Sequence, residues 1–158
     1  MRIRTLIATG LATAGAAAIG SVASKSGVET WYPTIKKPAY VPPNGVFPVA
    51  WTTLYGTIAA TSASTIDALR AEGDDAKTRA YVAALTTNLA LNASWSWLFF
   101  RLHKLGPSAV AAGALALSSA DLARRTAAVN PKAGLALAPY PLWCTFATVM
   151  STDIWRLN

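Results

Sequence analysis

WYPTIKKPAYVPPNGVFPVAWTTLY, residues 31–55, runs from a proline-stiffened polar loop directly into an uncharged, aromatic-rich helix. Pro33, Pro38, Pro42 and Pro43 fix φ and remove amide donors, so the loop fits neither a central strand nor a helix interior. From Gly45 the charge-free pattern continues to Ile66, close to the roughly 20 residues that cross a bilayer as a helix. Trp31, Trp51, Tyr32, Tyr40 and Tyr55 give the stretch flat, amphipathic surfaces that can cover an apolar ligand while their polar edges stay wet. We expect a lid joined to a pocket wall.

The rest of the chain extends this pattern. Of its 158 residues, 53% are hydrophobic and 13% charged, far below the roughly 25% charged residues of an ordinary soluble domain. Residues 5–24, 38–66, 80–100, 105–120 and 133–152 contain no Asp, Glu, Lys or Arg. The expected architecture is an all-α integral membrane protein, one domain over residues 1–158. It is a bundle of five transmembrane helices at about 5–24, 45–66, 80–100, 105–123 and 133–156, with a long loop, 25–44, between the first two. The fourth helix is expected to be the weakest span, because it must borrow Leu122 and Ala123 past Asp121 and is rich in Ala and Ser. The first run also fits a secretory signal, with Arg2 and Arg4 ahead of an apolar stretch. Its apolar part is longer than a signal core, so a retained helix is expected.

The formal charge of +7 does not mark a nucleic-acid surface, because the basic residues are scattered through short turns between apolar runs. Eight Lys and Arg (Arg2, Arg4, Arg70, Lys77, Arg79, Arg124, Arg125, Lys132) fall on the N-terminal side and six (Lys25, Lys36, Lys37, Arg101, Lys104, Arg156) opposite, a small bias towards a cytoplasmic N-terminus in a multi-pass protein. Residues 67–79 read as a solvated connection. Ala12, Ala16 and Gly20, and Ala109 and Gly113, recur four apart and suit either close packing within the chain or a dimer seam.

Chemistry is sparse. His103, the one histidine, sits in a short turn and reads as a solvated flank residue. No metal cluster, phosphate-cradling glycine loop or nucleophile set emerges. Cys144 is alone, which excludes an internal disulfide. The signal lies in the aromatics: Trp31, Trp51, Trp95, Trp97 and Trp155 fall on the loop side of the expected topology, whereas a belt of interfacial anchors would populate both sides. On the third helix Asn88, Asn92, Trp95 and Phe99 share a face and Trp97 points elsewhere; on the fifth, Trp143, Ala147 and Met150 share one. Buried amides there either bond neighbouring helices or face a cavity.

Several ordered motifs identify a resemblance. They are Trp31-Tyr32, then Lys37-Pro38, Pro42-Pro43, Phe47-Pro48, Trp51-Thr52 and Leu54-Tyr55; Leu91-Asn92, Trp95-Ser96 and Phe99-Phe100; Pro139-Tyr140, Trp143 and Phe146-Ala147-Thr148; and Ile154-Trp155-Arg156-Leu157-Asn158. Together they make the chain resemble the TspO/translocator protein family over most of its length. The resemblance implies a tryptophan-rich five-helix membrane protein, often a homodimer, that acts as a sensor, regulator or transporter and binds tetrapyrroles such as protoporphyrin IX or haem. No cofactor is required; the porphyrin is the ligand, and sterol or another lipid is a second ligand class. The resemblance implies Tyr32, Trp51, Asn92 and Trp143 as pocket residues, with Ala147 opposite them; the aromatic pattern adds Trp31, Tyr55, Trp95 and Phe99 to the expected ligand-binding set, with Lys36, Lys37 or Arg101 in reach of propionates by topology. The alternative implied reading is an enzyme that converts porphyrin in light, with Trp51 and Trp143 as redox candidates. Three positions depart from the family pattern: Tyr40 stands where tryptophan is usual, Met150-Ser151 where Leu-Asn is usual, and Asn88 in a stretch that usually contains glutamine. The tyrosine-containing sterol motif of animal members is also lost, with Thr152 ahead of Arg156.

Overall fold

The computed structural model describes residues 1–158, which form helices and no strands. Helix α1 spans Ile3–Thr30, α2 Val46–Ala71, α3 Asp75–Ser96, α4 Leu105–Val129, α5 Pro131–Leu137 and α6 Pro139–Leu157. Helices α5 and α6 are one rod interrupted at Ala138 by Pro139, so five rods make the bundle. Three segments, Ile3–Thr30, Leu105–Val129 and Pro131–Leu157, are long and apolar enough to cross a membrane. The expected weak fourth span is among them. It runs on to Val129, while Asp121 is neutralised by Arg124 and Arg125, each at 2.7 Å. Helices α2 and α3 are not among these segments, and both bury part of their polar side chains inside the bundle: Thr61, Ser62 and Thr65 on α2, Thr78, Asn88 and Asn92 on α3.

Two expected connections are shorter than the charge pattern implies. Helix α1 continues through Thr30, which leaves residues 31–45 as the loop. The segment 67–79 is mostly helical, with only residues 72–74 between α2 and α3. Asp74 is the reason: its carboxylate accepts the backbone N–H of Lys77 and caps α3 one turn earlier than a polar-loop reading allows. Both hydrogen bonding and ion pairing to Lys77 hold the Asp74 carboxyl below its ordinary pKa.

Helix α1 turns Thr5, Thr9, Thr13, Ala16, Gly20, Ala23 and Gly27 inward. The small-residue seam is therefore packed within the chain against α2 and α3, and Ala12 lies outside it. Thr9 donates to the Ala59 carbonyl of α2 at 2.8 Å. At Gly27 a Cβ would come 2.5 Å from the Phe100 carbonyl oxygen, so only glycine lets α1 approach the end of α3 there.

Between α2, α3, α4 and α6 runs a directional chain of buried hydrogen bonds. Tyr55 donates to Asn92 Oδ1 (2.6 Å), Asn92 to the Tyr140 hydroxyl (3.4 Å), Tyr140 to Asn88 Oδ1 (2.8 Å), and Asn88 to Ser118 Oγ (3.2 Å). Asn88, fully buried, thus takes the interhelical role. Tyr140 is also core, joined to both asparagines.

Candidate functional site

Helix α3 does not end as a plain α-helix at residue 100. Residues Trp97–Arg101 widen into a π turn, with Leu102 N–H bonding to Trp97 O at 2.9 Å. The extra residue in the turn shifts the helical phase, a device common at functional sites. Trp95, Phe99 and Phe100 accordingly pack together: Trp95 and Phe99 stack at 5.2 Å, and Phe100 meets Phe99 edge-on at 4.8 Å. Trp97 points away and donates to the Ile19 carbonyl at 3.2 Å.

A cavity of about 320 Å³ opens under the loop, between α1, α2 and the end of α3. Of the expected ligand-binding residues, Tyr32, Trp51, Tyr55, Asn92, Trp95 and Phe99 line it. Trp31, Trp143 and Ala147 do not. Trp31 is held aside by a stack on His103 (4.1 Å between rings, 13° between planes), which also makes His103 a packing partner as well as a flank residue. Trp143 stands behind Trp51, the two rings edge-on at 6.4 Å, and Ala147 is buried one turn further along α6. The lining also includes residues outside the expected ligand-binding set: a strip of mostly small residues on α1 (Gly20, Ser21, Ser24, Val28), Asn44, Phe100 and Met150. The α1 strip recurs at helical spacing and was legible, although the same spacing also reads as helix packing. Phe100 enters through the π turn, which has no sequence signature.

The walls are aromatic and the polar groups few. Asn92 is already committed to Tyr55 and Tyr140, and Trp95 donates to Ser151 at 3.3 Å. Tyr32 differs. Its side chain is 5% exposed, and its hydroxyl is buried without a hydrogen-bond partner. Burial raises its pKa, so it stays a neutral donor at neutral pH. An unpaired buried hydroxyl costs about 1–3 kcal/mol, which a ligand oxygen offered to it would recover. The other orphan, Trp143 Nε1, belongs to a residue that does not line the cavity.

Loop residues 31–45 are pinned at several points. Lys37 Nζ donates to the carbonyls of Tyr32 (2.7 Å) and Ile35 (3.0 Å) and lies over the Tyr32 ring, so it is a brace for Tyr32. Neither Lys36, Lys37 nor Arg101 reaches the cavity wall. Asn158, the last residue, exchanges two hydrogen bonds with the Lys36 backbone, each 2.9 Å, and Tyr40 donates to Asp153 at 2.6 Å. These contacts latch the loop onto the end of α6. Desolvation, and then the Asp153 carboxylate, push the Tyr40 hydroxyl up from 10.0 to about 12. A raised folded-state pKa means that the latch's contribution is complete below pH 10.0 and is lost as pH climbs towards 12. Tyr40→Phe should therefore release bound ligand roughly two- to fivefold faster, as expected for one exposed hydrogen bond of about 0.5–1 kcal/mol. The change should be constant from pH 6 to 9 in stopped-flow displacement; identical release from both proteins would remove the latch from the kinetics.

Comparison with known proteins places this geometry. Residues 8–156 match the TspO/MBR family. Protein CrtK of Rhodobacter capsulatus is 35% identical over 94% of this chain and 89% of its own length. Tryptophan-rich protein TspO of Archaeoglobus fulgidus is 33% identical over 100% of this chain and 99% of its own. The human Translocator protein is 33% identical over 81% of this chain and 75% of its own length.

Proposed function

Because the chain belongs to the TspO/MBR family, we propose that it binds a tetrapyrrole, protoporphyrin IX or haem, in the cavity beneath the 31–45 loop. Membership supports a role as a membrane sensor or transporter, and in our reading the tetrapyrrole is what is sensed or carried. A flat macrocycle apolar on both faces suits walls made of Trp51, Tyr55, Trp95 and Phe99. About 320 Å³ lies at the small end of the roughly 300–1,000 Å³ of drug-sized sites. We therefore place part of the ring inside, with the propionates at the mouth. The observation that carries the reading is Tyr32, a residue of the cavity wall whose buried hydroxyl has no partner in the protein and is a donor suited to a ligand oxygen.

Tyr32→Phe gives effects of opposite sign. The ligand-free protein should gain thermal stability, because an unsatisfied buried hydroxyl is gone, while protoporphyrin IX affinity should fall roughly three- to tenfold, the loss of one hydrogen bond of about 0.5–1.5 kcal/mol. Tryptophan-quenching titration and a melting curve read both. Unchanged affinity would take Tyr32 out of the site, and tighter binding of a sterol than of porphyrin would replace the ligand class.

The second reading, conversion of bound porphyrin in light, is favoured by the Trp51–Trp143 edge contact, which links the cavity wall to a second indole behind it. Illumination of the complex should then produce new tetrapyrrole bands that vanish in Trp51→Phe and Trp143→Phe. Featureless bleaching, equal in all three proteins, would exclude it.

A further inference from the structure

A second cavity of about 300 Å³ lies towards the other end of the bundle, between the first turns of α1, the last turns of α2 and the middle of α3. Its wall is apolar, from Ile66, Leu85 and Leu89, each at most 7% exposed, and from Val82 at the rim. Three threonines also line it, and every hydroxyl is already used: Thr5 donates to Asp67 (2.6 Å), Thr9 to the Ala59 carbonyl and Thr86 to the Val82 carbonyl (2.9 Å). The nearby Asp67 carboxylate is occupied by Thr5 and by the Arg2 backbone N–H.

The two remaining polar groups are cations. Arg4 and Arg70, from α1 and α2, both line the cleft and are exposed. The ion pairs of the protein lie elsewhere, at Asp74 and Asp121. Uncommitted guanidinium groups above an apolar slot call for a ligand with a phosphate at one end and hydrocarbon at the other. In a membrane protein the abundant molecule of that kind is a lipid. Basic pockets between membrane helices hold such headgroups.

We propose that this cleft is a binding site for an anionic phospholipid, its phosphate bridging Arg4 and Arg70 and an acyl chain lying along Val82, Leu85 and Leu89. The site is separate from the cavity under the loop and does not depend on what that cavity binds. An uncharged or zwitterionic lipid leaves the two arginines short of acceptor charge, so the site selects by headgroup.

Delipidated full-length protein in mild detergent, titrated with dioleoyl phosphatidylglycerol or dioleoyl phosphatidylcholine and read by native mass spectrometry, tests this. Phosphatidylglycerol should bind roughly ten- to thirtyfold tighter, given the worth of two basic groups beside an anionic headgroup. Arg4→Gln combined with Arg70→Gln should bring the two lipids within about twofold. Lys104→Gln combined with Arg156→Gln, at the opposite end, should leave the preference intact. Val82→Trp, which fills the slot and keeps both arginines, should weaken phosphatidylglycerol binding several-fold. Millimolar inorganic phosphate should not displace the lipid. A preference that survives loss of both arginines, or full affinity in Val82→Trp, overturns the proposal. Displacement by inorganic phosphate would instead assign the arginines to a soluble anion.

Discussion

Trp51→Ala is expected to weaken protoporphyrin IX binding roughly 30- to 1,000-fold, while Trp97→Ala changes it by less than about twofold. Trp51 lies in the cavity wall, stacked on Tyr55 at 5.6 Å and braced edge-on by Tyr140 and Trp143, each at 6.4 Å. Removing its indole takes away an apolar face worth about 1.5–3 kcal/mol and an aromatic contact worth about 0.5–1.5 kcal/mol more. It also unseats Tyr55, whose hydroxyl heads the chain of hydrogen bonds to Asn92. Trp97, the first residue of the π turn, is bonded to α1 and does not line the cavity. Fluorescence titration of both variants, each checked for its helical signal, decides the matter. Equal losses would mean that the indoles matter to stability and not to the ligand.

The second large effect concerns the fold. Gly134→Ala, a single methyl group, should lower stability by about 3 kcal/mol, the upper end of what overpacking costs. A Cβ at Gly134 would overlap Ala127, including its backbone nitrogen at 2.8 Å. Backbone cannot rotate aside as a side chain can. The turn at Asn130, whose side chain caps α5 by accepting from the Lys132 and Ala133 N–H groups, would have to open. Gly10→Ala is the control: nothing lies within 4 Å of its Cβ, and loss of a mid-helix glycine should raise stability by about 0.5–1 kcal/mol. Thermal unfolding in detergent compares them directly. Equal melting temperatures would show that α4 and α5 part without cost.

The contrast between these glycines shows what is and is not legible along the chain. Gly10, Gly20 and Gly134 are alike in sequence, each in an apolar helical run, and Gly27 falls among the residues expected to form the loop. Only their surroundings in the fold distinguish them: empty space for Gly10, a rotatable Ser96 side chain for Gly20, a carbonyl of the π turn for Gly27 and the backbone of α4, seven positions back across a turn, for Gly134. The aromatic site divides in the same way. Six of its nine expected residues meet at the cavity because they lie on the loop and on helix faces that periodicity defines. Trp31 leaves it for His103, Trp143 packs edge-on against Trp51, and Ala147 is buried outside the lining, which are decisions of packing between helices.

By itself the sequence determined that the protein is a five-rod helical bundle for a membrane, that prolines stiffen a loop between its first two rods, and that the aromatics gather at the loop end. Charge-free runs and helical periodicity are local properties, and burial of apolar surface acts on them wherever the chain goes. The tertiary structure alone decided that α1 is packed by its small residues inside the chain, that a π turn brings Phe100 into the wall, that Tyr140 joins the two asparagines, and that Tyr40 and Asn158 latch the loop to the end of α6. Apart from the π turn, whose defining bond spans five residues, these depend on groups between 48 and 122 positions apart meeting within hydrogen-bond or contact distance, and only the packed bundle brings them together.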